Sequence, residues 1–82
     1  MLKIYGSDLC PDCLACKKDL DARGIEYTYL NITESLKLMK EFLALRDSDP
    51  VFDSVRKKGN IGIPALICQD GKVLLDWNEL DQ

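Results

Sequence analysis

Leu2-Lys3-Ile4-Tyr5-Gly6-Ser7-Asp8-Leu9-Cys10-Pro11-Asp12-Cys13 is the stretch that decides the fold. Its first residues have strand preference, and Gly6-Ser7-Asp8 cuts the run. Cys10-Pro11 then opens a helix, because proline is tolerated at the first helical position, where its missing N–H leaves no bond unmade. Cys13, Cys16 and Leu20 fall at i, i+3 and i+7 and mark the inward face, while Lys17, Lys18, Asp21 and Arg23 are solvated. Gly24 suits the position that ends a helix. Ile25-Glu26-Tyr27-Thr28-Tyr29-Leu30 reads as a second strand, aromatic and partly alternating. A strand, a helix and a strand in this order imply two parallel strands joined by a right-handed crossover.

Working outward, Thr33 is the expected N-cap of a second helix in which Leu36, Met39, Phe42 and Leu43 carry the helical period. Asp49-Pro50 repeats the cap-then-proline signal, so a kink or a fresh helix is expected from Pro50 to Lys58, ended by Gly59. After Gly62, the apolar runs Ala65–Cys68 and Lys72–Leu75 flank Gln69-Asp70-Gly71 and form a β-hairpin. Residues Asp76 to Gln82 have room for a turn or two of helix. The order β-α-β-α-β-β-α describes an α/β fold with a four-stranded mixed sheet and helices on both faces. Buried faces explain why the strands read as apolar runs.

The 82 residues hold one domain, 1–82, around one core. A composition of 46% apolar and 30% charged residues is that of an ordinary globule. With a net charge of −3, there is no global field to hold nucleic acid or an anionic membrane. The absence of histidine removes imidazole as base or metal ligand. No apolar run approaches the roughly 20 residues of a membrane span. Met1 to Gly6 is too short and too polar for a secretory signal. A monomer in the reducing cytoplasm is the expectation, and there Cys10, Cys13 and Cys16, crowded together with Cys68 far downstream, point to redox or metal chemistry and not to a disulfide framework.

Cys10-Pro11-Asp12-Cys13 is a C-x-x-C at a helix start. Unpaired backbone N–H groups and the helix dipole stabilise a thiolate at Cys10. Cys13, one turn inward, is placed to attack a mixed disulfide on Cys10. Asp12 opposes a nearby thiolate but also suits the first turn of a helix. Cys16 and Cys68 read as buried packing residues. The competing reading is a metal site, since Cys10-x-x-Cys13-x-x-Cys16 begins like a ferredoxin run. That run needs a further cysteine where Leu20 stands, and sulfurs at i, i+3 and i+6 along a helix spread too far for tetrahedral zinc unless the helix starts late.

Gly62-Ile63-Pro64 completes the pattern. The order of strand, C-P-x-C, helix, strand, helix, x-x-Pro, hairpin and short helix resembles the glutaredoxin family of the thioredoxin-like fold over nearly the whole chain. The resemblance implies a cis Pro64 facing the thiols, with the Ile63 backbone pairing with an extended substrate. It implies a thiol–disulfide oxidoreductase in which Cys10 attacks, Cys13 resolves, and Pro11, Asp12, Ile63 and Pro64 meet the substrate, a disulfide-containing protein or a low-molecular-weight thiol. No metal or resident cofactor is implied, and electrons must come from an external donor. The alternative is a binding module of the same fold that holds a metal or a protein partner without turnover.

Typical glutaredoxins carry a basic residue shortly before the first cysteine, an aromatic one inside the motif, and a Gly-Gly segment with an acidic or polar pair near the last helix. Here those places hold Gly6-Ser7-Asp8-Leu9, Asp12 and Leu74-Leu75-Asp76-Trp77-Asn78-Glu79. Glutathione is anionic, so it is expected to be a poor co-substrate. Lys57 and Lys58 are the cations nearest the proline loop in sequence, and a helix end is their ordinary place. Trp77 reads as a lid on one edge of the core.

Overall fold

A computed structural model describes residues 1–80. Four strands among them form one sheet in the order β2-β1-β3-β4, with β1 Leu2–Gly6, β2 Tyr27–Asn31, β3 Ala65–Ile67 and β4 Val73–Leu74. β1 and β2 are parallel, with Ile4 opposite Tyr29; β3 runs antiparallel to both β1 and β4. The helices are α1 Pro11–Ala22, α2 Leu36–Ser48 and α3 Asp53–Lys57, the last preceded by a 3₁₀ turn at Pro50–Phe52. This is the four-stranded mixed α/β sheet that the sequence implied. No helix among the described residues is long and apolar enough to cross a membrane.

The pleat of β1 sends alternate residues into two cores. Ile4, paired with Leu66, packs with Cys16 and Leu20 of α1 and with Leu74. Tyr5, paired with Ala65, faces the other side, where Phe42 of α2 and Phe52 are fully buried. The three rings form a chain: Tyr5 and Phe42 have centroids 5.7 Å apart, and Phe42 meets Phe52 edge-on at 5.9 Å. Trp77 and Leu80 cover the edge of the α1-side core. Helices on both faces bury the strands as the apolar runs implied.

α1 begins and ends where its chemistry requires. Pro11 is its first residue, Cys10 its N-cap, and Gly24 adopts φ +70° just past its end. There Gly24 N–H donates to Asp21 O at 3.1 Å and Ile25 N–H to Leu20 O at 3.0 Å, so the last turn keeps its carbonyls paired. Four local expectations are corrected. Ser35, not Thr33, caps α2, its hydroxyl accepting from Leu38 N–H at 3.2 Å. Leu36 is 79% exposed and Leu43 39%; the inward stripe is Leu38, Phe42 and Leu45, with Met39 beside it. The second strand starts two residues later than Ile25 and closes at Asn31. The C-terminal segment forms a single 3₁₀ turn, Trp77–Glu79, capped by Asp76, and its expected continuation through residues 81 and 82 lies outside the described residues.

Candidate active site

Cys10 stands where β1 gives way to α1. Its extended backbone (φ −103°, ψ 116°) lets the side chain turn back over the first helical turn, and Sγ accepts from Cys13 N–H at 3.4 Å. Its own N–H donates to Ser7 O at 3.1 Å, which fixes the loop before it. The half-buried sulfur thus occupies the capping place, at the positive end of the helix dipole. Cys13, one turn on, has no exposed surface. Burial is the main cause that pushes its thiol up to about 12, and the neighbouring Cys10 and Cys16 sulfurs add to the shift; the Ser7 backbone, hydrogen-bonded to it, pulls the other way. Burial likewise lifts Cys16 to about 11, with Asp19 contributing. All four cysteines are free thiols. One thiol is offered at the surface and a second waits behind it.

Opposite Cys10, the loop before β3 forms the far wall of an open groove of about 490 Å³. Cys10, Asp12, Asn60, Gly62 and Ile63 line it. The Ile63–Pro64 peptide is cis, and Pro64 is buried immediately behind Ile63. Gly62 adopts φ +98°, and a Cβ there would stand 2.9 Å from the Phe52 ring, so only glycine fits this bend. Arg46 of α2 holds the same loop by donating from Nε to Ile61 O at 2.8 Å and from its guanidinium to Asn60 O. Of the residues expected at the site, Cys10, Asp12 and Ile63 therefore share one groove, and Cys13 lies beneath it. Pro11 is exposed at the helix start.

A second cleft of about 300 Å³ adjoins Cys10 on the α2 side. Leu9, Met39, Leu43, Ile61 and Ile63 give it an apolar wall. Leu9 is 83% exposed and Ile61 55%, so unprotected aliphatic surface flanks the thiol on this side. The sequence signal for this was Leu9, an apolar residue directly before Cys10. Ser7, also unnoticed in the sequence, is buried; its hydroxyl bonds Thr33 Oγ1 at 2.9 Å and accepts from Leu9 N–H at 3.1 Å. Thr33, displaced from its expected capping role, ties β2 to this loop instead.

Charge at the site differs from expectation in one respect. Asp8 is neutralised by Lys17, whose ammonium lies 2.9 Å from its carboxylate and holds that carboxyl below its ordinary range. Lys57 and Lys58 are exposed and line neither groove. No lysine or arginine lines either one among the described residues. A further groove of about 490 Å³ lies at the far end of β3, around Cys68 and Asp70, away from both motif thiols. α1 is helical from Pro11, so the late helix start that a three-cysteine metal site requires does not occur.

Comparison with known proteins agrees with this architecture. The glutaredoxin family model matches residues 2–73. The chain belongs to the glutaredoxin family. Among its relatives is an uncharacterized protein of Haemophilus influenzae, 38% identical over 77 residues, covering 94% of this chain and 90% of that one. Another is an uncharacterized glutaredoxin-like 8.6 kDa protein in the rubredoxin operon of Clostridium pasteurianum, 25% identical over 81 residues, covering 99% and 91%. No solved structure matches significantly. Within the glutaredoxin frame, Cys10 and the loop ending in the cis Ile63–Pro64 peptide face one groove, and no lysine or arginine lines the two grooves beside Cys10 among the described residues.

Proposed function

We propose that the protein is a thiol–disulfide oxidoreductase that reduces disulfides of protein segments with apolar surroundings, glutathione being a poor co-substrate. Cys10 attacks a substrate sulfur and forms a mixed disulfide. Cys13 then attacks Cys10 Sγ, closing the Cys10–Cys13 bond and releasing the substrate thiol. The single observation that carries this reading is the Cys10 sulfur held as N-cap by Cys13 N–H at 3.4 Å, with Cys13 itself buried one turn inward. That geometry supports one thiol that initiates and one that resolves.

The substrate would lie extended along Ile63-Pro64, its backbone paired with Ile63 and its apolar side chains over Leu9, Leu43 and Ile61. Aliphatic walls recompense apolar surface at about 25 cal/mol per Å². They offer nothing to the two carboxylates of glutathione, which require cations or N–H donors, and Asp12 repels them. Losing one or two charge-assisted contacts of about 1.5–3 kcal/mol each weakens binding by roughly tenfold to twenty-thousandfold.

Turnover with glutathione and its reductase should be compared with turnover driven by thioredoxin reductase, each reporting through NADPH consumption. The expected result is a low glutathione-linked rate, raised by Leu9→Lys with Asp12→Tyr. A native protein that reduces glutathione mixed disulfides as fast as a typical glutaredoxin would refute the assigned specificity.

A further inference from the structure

Tyr29, in β2, carries a buried hydroxyl that has no hydrogen-bond partner among the described residues. An unpaired buried hydroxyl is unfavourable, and a phenylalanine would fill the same space without the penalty. The surroundings suggest what it is for. A Cβ built on Gly6 would stand 3.0 Å from Tyr29 Oη and 3.1 Å from Cys13 Sγ. Both atoms therefore approach the same bare point of the β1 backbone, and the hydroxyl and the buried sulfur are near neighbours across it. The charged and titratable groups facing the hydroxyl are Cys13, Asp8 and Cys10. Asp8 acts on the hydroxyl both through its charge and as a side-chain acceptor, though outside the geometry of a regular hydrogen bond. Lys17 Nζ caps the ring face at 4.0 Å from its centroid, which withdraws electron density and strengthens the O–H as a donor. Burial raises the phenol further from ionisation, so it stays protonated across the working pH range.

Resting on the oxidoreductase reading above, we propose that Tyr29 is a positioning residue for the resolving thiol: its O–H donates to the Cys13 thiolate as that anion forms. Cys13 has no exposed surface, and of the groups hydrogen-bonded at its sulfur the Ser7 backbone favours the thiolate while the Cys10 side chain opposes it. A thiolate there needs a second donor, and the neutral thiol does not, which accounts for a hydroxyl left idle in the resting protein. In the step concerned, the Cys13 Sγ–Cys10 Sγ bond forms and the bond from Cys10 Sγ to the substrate sulfur breaks. The electron pair leaves on the substrate sulfur, and the proton lost from Cys13 ends on that leaving thiol. In this step Cys13 is oxidised and the substrate sulfur is reduced, Cys10 having been oxidised when the mixed disulfide formed. Gly6 keeps the gap open through which hydroxyl and sulfur meet.

An aryl disulfide that releases a coloured nitrothiobenzoate separates the two steps, since attack by Cys10 releases one equivalent and resolution by Cys13 the second. In Tyr29→Phe the second release should slow about tenfold or more, in keeping with the size of a single donor's effect on a developing anion. Its rate–pH profile should move to higher pH, while the first release stays within twofold of native. Thermal stability should be equal or higher, because the idle hydroxyl is gone; a merely structural tyrosine would do the opposite. Lys17→Met, which keeps the hydroxyl but removes the cation from the ring, should give a smaller slowing of the same step. Unchanged second release and pH profile in Tyr29→Phe would overturn this inference alone. A native protein that never releases the second equivalent would overturn the dithiol reading on which it rests.

Discussion

Gly6 shows how much of the site depends on a single missing methyl group. Its φ is unexceptional, but a side chain there would press on Tyr29 Oη and Cys13 Sγ at 3.0 and 3.1 Å, tighter than most carbon contacts, so one of them would have to give way. Gly6→Ala should therefore destabilise the fold by about 1–3 kcal/mol, the range for overpacking, in chemical denaturation; an alanine variant of native stability would show that the gap is not under load. The buried thiols contribute to the alkaline limit of stability, beside the tyrosines that burial also raises. Cys13 and Cys16 titrate near 12 and 11 when folded, against an ordinary value of 9.0. Raised folded values mean that the unfolded chain loses its protons first, so stability is complete below about pH 9 and falls as pH rises through the folded values. Each thiol contributes a slope of about 1.4 kcal/mol per pH unit inside that window. Denaturation under reducing conditions between pH 8 and 11 should show the fall, and Cys16→Ala should remove part of it. A flat profile would mean that neither thiol is shielded as its burial implies.

α1 and α2 were legible in the sequence to different degrees. Proline can occupy a helix only at its start, and Gly24 ends the apolar period, so the sequence left one place for α1 and hence for the two thiols. α2 offered two capping candidates, Thr33 and Ser35, and the earlier one loses because Asn31 engages its N–H at 3.0 Å and its hydroxyl at 2.7 Å, both aimed back at the strand. Ser35→Ala should cost about 1 kcal/mol, as N-cap losses do, with a matching loss in the denaturation midpoint. Thr33→Ala should leave the helix intact and loosen the loop that Ser7 anchors, seen as faster amide exchange at Leu9. Equal helix loss in both variants would contradict the assignment. The two grooves were only half legible. The dithiol and the proline are local motifs, but Leu9, Met39, Leu43 and Ile61 come from α2 and two separate loops, and an aliphatic residue carries no mark of whether folding will cover it. Tyr29 was read as a strand former, since nothing local distinguishes a hydroxyl that will lie beside a sulfur.

At the scale of the molecule, the site occupies the carboxyl ends of the parallel strands, the usual place for chemistry on α/β sheets. β1 delivers Cys10, β2 delivers Tyr29 and Thr33, and the loop before β3 delivers Ile63 and Pro64, while Arg46 pins that loop to α2. The two cores thus back the candidate site: α1, packed on one, carries Cys13 at a buried position, and the aromatic one packs against Ile63 of the loop on which substrate would rest. The proposed division of labour makes a definite demand on the whole assembly, namely that substrate is captured at Cys10 and freed by Cys13. The most direct measurement is to present Cys13→Ser with a disulfide-bonded peptide bearing aliphatic residues beside its cysteine, and to map the adduct by mass spectrometry. The account predicts one long-lived peptide adduct on Cys10, absent from the native protein, in which Cys13 releases it. An adduct on Cys16 or Cys68, or none on Cys10, would contradict it.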